Sequence, residues 1–424
     1  MARDSRGRRL ALISLLLTGP LVACSDPDPQ PEADPSASTA TGSSSAESAD
    51  PRTSASLDVE LTSRLVTDEL PRPREVVPLD ADRLLIADQN GYVVVVEGGE
   101  IRPTRFLDVA DDIDGPGARD FESGLLGFAP APDFASTGTV YTVTTHEVGD
   151  GAVSRLTRWT ADTERLVVDP DSAEVLLELT IHFFVHAGGE IVFDDEGLLY
   201  TSIGGPSRSE LAQDPNDYAG TVLRIDPAGS TGDLPYGIPA DNPYADGGGL
   251  PEIYALGFRN PWRLSWAPEH GLLVADAMFT DKDQQVVAAV AGGNSGYPDV
   301  RGRCWEGATV AAGCRTTAAG AAITPPALEY SADVGNIVSG VLPAPADAPA
   351  PLAGTVLVAD WAGALLAATP GEAPWPKARV PLPDDVVPRS HHLFDLDVGA
   401  DGTIYALTTG RTSRTGKVVA LTVG

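Results

Sequence analysis

The sequence predicts an all-β protein, a six-bladed β-propeller, and three observations carry that prediction. One unit keeps returning: an apolar strand, a turn bearing Asp or Pro together with Gly, and a second apolar strand. Clear copies occupy 126–141, 190–200, 264–274 and 396–405, and weaker ones surround 82–87 and 354–358. Each copy reads as a hairpin, because Gly supplies the positive φ of the turn and a flanking period of two marks strands. The second observation is that no amphipathic helix of three turns is visible, and Pro and Gly recur too often for one. The third is spacing. Six copies give about 60 residues each, more than the ~40–45 of a compact propeller repeat, so long loops should decorate the blades. Radial repetition of such units leaves few exposed sheet edges.

The elements follow in chain order. Arg3, Arg6, Arg8 and Arg9 are basic, Leu10 to Leu17 is apolar apart from Ser14, and Leu21-Val22-Ala23 precedes Cys24. A basic region, a short apolar core and small residues before a cut site describe a secretory signal over 1–23. The apolar run is too short to span a bilayer, which takes ~20 residues. Small residues directly before a cysteine resemble a bacterial lipobox, so Cys24 is the expected lipidated residue. Residues 24–56 are Ser, Ala, Asp, Pro, Thr and Glu with almost nothing apolar beyond alanine. Such a segment cannot offset its ordering entropy and reads as a disordered tether. The propeller is expected over 57–424.

Only Cys304 and Cys314 remain in that body, and outside the cytoplasm their closeness predicts a disulfide closing a surface loop. The formal charge is −31, from 29 basic and 60 acidic residues. That excess argues against nucleic acid, whose binding relies on Lys and Arg neutralising phosphates.

Loops at the channel rim are the default ligand site of a propeller. His186 stands just before a blade strand, in Val185-His186-Ala187-Gly188-Gly189. A neutral imidazole there can take up a proton near neutral pH, and the glycines let backbone pass close to a ligand. A structural histidine is the alternative, and His182 is its confusable neighbour. In Gly257-Phe258-Arg259-Asn260-Pro261-Trp262 the proline stiffens the turn, aiming a permanent cation, Arg259, and an amide, Asn260. Such a pair suits a polarised carbonyl or a carboxylate. The alternative is an arginine that ties loops together through backbone carbonyls. The acidic loop from Asp276 to Asp283 is a third candidate, as a Ca²⁺ site built from oxygens.

These segments, in this order, resemble the soluble PQQ-dependent glucose and sorbosone dehydrogenase family of six-bladed quinoproteins, from about Leu70 to the C-terminus. The motifs are Glu122-Ser123-Gly124-Leu125-Leu126-Gly127-Phe128, His186-Ala187-Gly188-Gly189, Gly257 to Trp262, Gly292-Gly293-Asn294 and Asn336-Ile337-Val338-Ser339-Gly340. The resemblance implies pyrroloquinoline quinone (PQQ) and calcium as cofactors. It implies that His186 removes a proton from a sugar hydroxyl as hydride passes to the quinone, and that Arg259 stabilises the negative charge that develops. Asn260 and Ser339 would contact the cofactor, Glu122 the substrate, and the backbone carbonyls of Met278 and Phe279 the calcium. The chain departs from the pattern where His392-Leu393-Phe394 replaces an Arg-x-Arg, and where Ala362 and Ala187 replace a lysine and an amide.

The expectation is therefore an exported, membrane-anchored enzyme that oxidises an aldose or related sugar and passes electrons to an external acceptor. A cofactor-less propeller lipoprotein that binds a glycan or a protein partner is the alternative.

Overall fold

A computed structural model gives the fold and describes residues 56–113, 122–149, 151–182, 185–206, 210–278, 283–300, 303–306, 309–345, 348–411 and 415–423. Six antiparallel sheets of four or five strands are arranged as a β-propeller. The inner strands, one per blade, are Pro73–Pro78, Leu125–Pro130, Ile191–Phe193, Pro261–Ala267, Val338–Pro343 and His391–Val398. Every repeated unit seen in the sequence falls on the hairpin between an inner strand and the next strand outward. Among the described residues no helix exceeds four residues, and none is long and apolar enough to cross a membrane.

One detail of the expected pattern needs correction. The second strands do not alternate between apolar and polar. In Arg83–Asp88, the residues Leu84, Leu85, Ile86 and Ala87 are all at most 3% exposed. Leu84 and Ile86 join one core, while Leu85 and Ala87 join the core on the other side. A strand sandwiched between two neighbouring blades is buried on both faces, so its sequence is a continuous apolar run.

The ring closes through a strand distant in sequence. Leu61–Leu70 pairs antiparallel with Gly416–Val423 and completes the last blade as its outermost strand. The expected disulfide is present, joining Cys304 to Cys314. It lies in the long connection between strands Gln284–Ala289 and Leu328–Tyr330, beside a ribbon formed by Trp305–Glu306 and Thr309–Val310.

A cavity of about 240 Å³ lies on the central axis and meets all six inner strands, with Glu75, Glu190, Arg263, Asp395 and Asp397 in its wall. It touches the middle or later part of five inner strands and the whole of the short Ile191–Phe193. The beginnings of the six strands, where the sequence places His186 and Arg259, therefore gather at the other end of the channel, its mouth.

Candidate active site

His186 enters the mouth on the segment that precedes Ile191–Phe193, with φ at 61°, a left-handed value uncommon for any residue but glycine. Three bonds hold it there. Its backbone N–H donates to the Glu122 carboxylate, and its carbonyl accepts from Gly204 N at 2.8 Å. Its ring Nδ1 lies 2.7 Å from the carbonyl oxygen of Gly205. A carbonyl only accepts, so Nδ1 carries the proton and the neutral ring keeps its lone pair on Nε2. Burial lowers the His186 pKa, an effect that Glu122 opposes and Arg259 reinforces. The ring is therefore neutral at neutral pH.

Gly204 and Gly205, just beyond strand Leu199–Ile203, bridge His186 to Arg259. The carbonyl of Arg259 accepts from Gly205 N at 2.8 Å. A Cβ on Gly204 would come within 2.5 Å of His186 Cβ and 2.8 Å of the Arg259 carbonyl oxygen, so only glycine allows the two to approach. The role expected of Gly188 and Gly189 changes. A Cβ on Gly188 would sit 1.8 Å from Ser202 O, and one on Gly189 2.6 Å from Leu126 Cβ. These two glycines make room for neighbouring protein.

The direction of Arg259 and Asn260 is set by Asp276 rather than by Pro261 alone. The fully buried Asp276 carboxylate accepts from Asn260 N at 2.7 Å, Arg259 N at 3.1 Å and Gln285 Nε2 at 2.9 Å. The Arg259 guanidinium donates from Nη1 to Ala277 O at 2.6 Å and to Met278 O at 3.2 Å. Of the two sequence readings of this arginine, the tie between loops through carbonyls is present in the structure. Asp276 is spent on two backbone N–H groups and the Gln285 amide, and Asp283 pairs with Arg303 at 2.9 Å, so these two carboxylates do not converge on a cation. Phe279 lies outside the described residues, as does Cys24.

Other expected residues are placed elsewhere. His182 meets Asp217 at 3.2 Å, apart from the cluster formed by His186, Glu122 and Arg259. Ser339 is fully buried and its Oγ donates to Leu393 O at 2.7 Å, which commits it to the seam between two inner strands. His392 lies against Trp361, with Nδ1 3.1 Å from the Trp361 carbonyl oxygen and the rings edge to face. Phe394 is buried below it. Arg389 is exposed in a separate surface pocket with Asp384 and Arg379. Arg411 bonds the carbonyl of His391 and acts electrostatically on His392.

One cation escaped the sequence reading. Arg74, on the first inner strand, is buried with its guanidinium 5.5 Å from the Trp262 ring and 5.0 Å from Phe394. Burial brings it down to about 10, still protonated at neutral pH, and Glu122 is among the carboxylates that act on it. Its only signal was an arginine where an inner strand should be apolar. The mouth thus assembles a neutral imidazole, a carboxylate and a guanidinium from three blades, and the buried Arg74 of a fourth acts on the same carboxylate. That set can remove a proton and stabilise negative charge.

The family model for glucose and sorbosone dehydrogenases matches residues 70–419. The chain belongs to that family. Among members and relatives, quinoprotein glucose dehydrogenase B of Acinetobacter calcoaceticus is 29% identical over 234 residues, 49% of this chain and 45% of that enzyme. The human Hedgehog-interacting protein is also 29% identical, over 196 residues, 43% of this chain and 28% of that protein. The chain thus spans less than half the length of each. The PQQ-bound aldose sugar dehydrogenase of Streptomyces coelicolor shares the fold, with a TM-score of 0.66, 20% identity and coverage of 86% of this chain and 99% of that one.

Proposed function

We propose that this protein is a PQQ-dependent sugar dehydrogenase that oxidises an aldose or related sugar, with His186 as general base. The observation that carries the reading is the Nδ1 contact of His186 with Gly205 O at 2.7 Å, which leaves Nε2 as the basic nitrogen in a site shared with Arg259. The family and the quinoprotein among its relatives support the same reading.

The residues present fit the cofactor. PQQ is flat and carries carboxylates, and two cations, Arg259 and Arg74, act on the same Glu122 neighbourhood. Arg411 adds charge beside His392 at the rim. Two successive carbonyls, of Ala277 and Met278, meet at one point and suit a cation. When bound, PQQ supplies a two-electron acceptor. His186 Nε2 takes the proton from the sugar hydroxyl as the C–H bond breaks. Arg259, whose backbone Asp276 anchors, supplies positive charge where negative charge develops. Asn260 would contact the cofactor, and Glu122, which accepts from the His186 backbone, would orient the sugar.

Export and anchoring complete the proposal. Cys24 would carry the lipid, 24–56 would form the tether, and electrons would leave to an external acceptor. Replacing Cys24 by Ala should move the protein from the membrane fraction to the medium. The central test is reconstitution of the mature domain with PQQ and Ca²⁺. Sugars should then reduce an artificial electron acceptor, and PQQ absorbance should stay with the protein through gel filtration. Loss of PQQ on the column, with no turnover of any sugar, sinks the enzyme reading. It would favour a cofactor-less binding propeller, for which His392-Leu393-Phe394 at the rim and the Hedgehog-interacting relatives speak.

A further inference from the structure

We propose that the Arg259 guanidinium is the resident cation of the Ala277 and Met278 carbonyl pair, and that a divalent, oxygen-seeking cation binds there only by displacing it. The proposal rests on the reading of the mouth as a PQQ and calcium site, and adds that the metal and the arginine exchange.

A single nitrogen, Arg259 Nη1, reaches both carbonyl oxygens, at 2.6 Å and 3.2 Å. Both carbonyls belong to residues only 2% exposed, and both residues are held in place through their own N–H groups. Ala277 N donates to Asn260 O at 2.8 Å, and Met278 N to Gln284 Oε1 at 3.1 Å. The oxygens are thus fixed to one point before any ligand arrives. Calcium takes oxygen ligands at ~2.3–2.6 Å and accepts backbone carbonyls readily. A guanidinium nitrogen and a divalent ion bound to the same two oxygens would lie within a few ångströms of each other, where like charges repel strongly.

Only one of the two partners can move. The Arg259 backbone is pinned by Asp276 at 3.1 Å and by Gly205 at 2.8 Å, whereas its side chain is carried on rotatable bonds. Asp276 and Glu122 both act on that guanidinium, so negative charge remains for it when it leaves the carbonyls. Metal binding would therefore free Arg259 to turn toward the cofactor carrying its full charge.

The test is Ca²⁺ binding to the mature protein without PQQ, read by isothermal titration, in wild type and in Arg259→Gln and Arg259→Lys. Glutamine removes the competing charge, and lysine places a single ammonium on a differently shaped stem. Near-UV circular dichroism identifies which variants are folded. In a folded Arg259→Gln, Ca²⁺ should bind about tenfold or more tighter than in wild type, with Arg259→Lys between the two. Equal or weaker Ca²⁺ binding in the folded variants, or none in any of them, overturns the exchange. Titration of wild type with PQQ, followed by absorbance, reports separately on the dehydrogenase reading.

Discussion

His186 combines a strained backbone with a buried, oriented ring. A left-handed conformation in a residue with a side chain costs stability and persists only where the surroundings impose it, which is common at functional sites. Asparagine tolerates that conformation best among residues with side chains. In His186→Asn the melting temperature should stay close to wild type and bound PQQ should be retained, while turnover falls about 10²–10⁴-fold, as for loss of a general base. Equal turnover in the variant would remove His186 from the chemistry. The ring must be neutral to accept a proton, and burial holds its pKa below the ordinary 6.5. Activity is therefore lost as pH falls through that lowered value. A profile of kcat/KM against pH should keep its acid limb below 6.5, and a limb above 7 would contradict the buried placement. His186 itself was legible from its glycine-rich surroundings. Its tautomer was not, because Gly205, which follows strand Leu199–Ile203, is 19 residues away in the chain.

The same device recurs in three blades at the level of the strand. The second strands Arg83–Asp88, Gly271–Asp276 and Val356–Asp360 all end in Ala-Asp. Each aspartate accepts backbone N–H groups from the chain entering the inner strand of its own blade. Asp88 takes Arg72 N at 2.8 Å, Asp276 takes Asn260 N at 2.7 Å, and Asp360 takes Ile337 N at 3.0 Å. The repeat Ile-Ala-Asp, Val-Ala-Asp, Val-Ala-Asp was visible in the sequence. Its meaning was not, since acidic residues are frequent throughout the chain and nothing local says what each one meets. Replacing Asp88 or Asp276 by Asn should cost about 1–3 kcal/mol of stability, the range for disturbing a buried hydrogen-bonded group. The two should differ in function. Only Asp276→Asn should weaken PQQ retention and raise KM, because only that turn carries Arg259 and Asn260. Chemical denaturation with a parallel PQQ titration separates the two effects.

Charge fills part of the propeller's central axis. Arg263 donates to Glu190 at 2.6 Å and to the Arg74 carbonyl at 2.5 Å, and lies 3.7 Å from Asp395. Glu75 accepts from Phe128 N at 2.8 Å and is hydrogen-bonded to Glu190. Asp397 and the cation Arg74 complete the charged groups of this cluster, which come from four blades. Burial raises Glu75 well above 4.5, with Glu190 and Asp395 adding to the effect and Arg263 opposing it. A raised carboxyl pKa means the folded state holds a proton that the unfolded chain has given up. The stability from that proton is complete below 4.5 and is lost as pH rises through the higher folded value. Glutamine keeps the donor without titrating. The melting temperature of Glu75→Gln relative to wild type should therefore climb as pH rises from 4.5. A difference that stays flat across pH would show that Glu75 carries no proton in the folded state.

What the sequence by itself determined was local: six hairpins, their turns, the disulfide loop, and the two segments carrying His186 and Arg259. These depend on residue period and turn chemistry within a few positions, and such signals survive in one dimension. The tertiary structure alone decided that Leu61–Leu70 closes the last blade, that Asp276 steers Arg259, and that Arg74 reaches under the mouth. It also decided that Ser339 belongs to a seam between strands. Each of these joins groups far apart in the chain. Pairing a hydrogen-bond donor with its acceptor, or a cation with a ring, is a question of distance in space, which a linear pattern does not record.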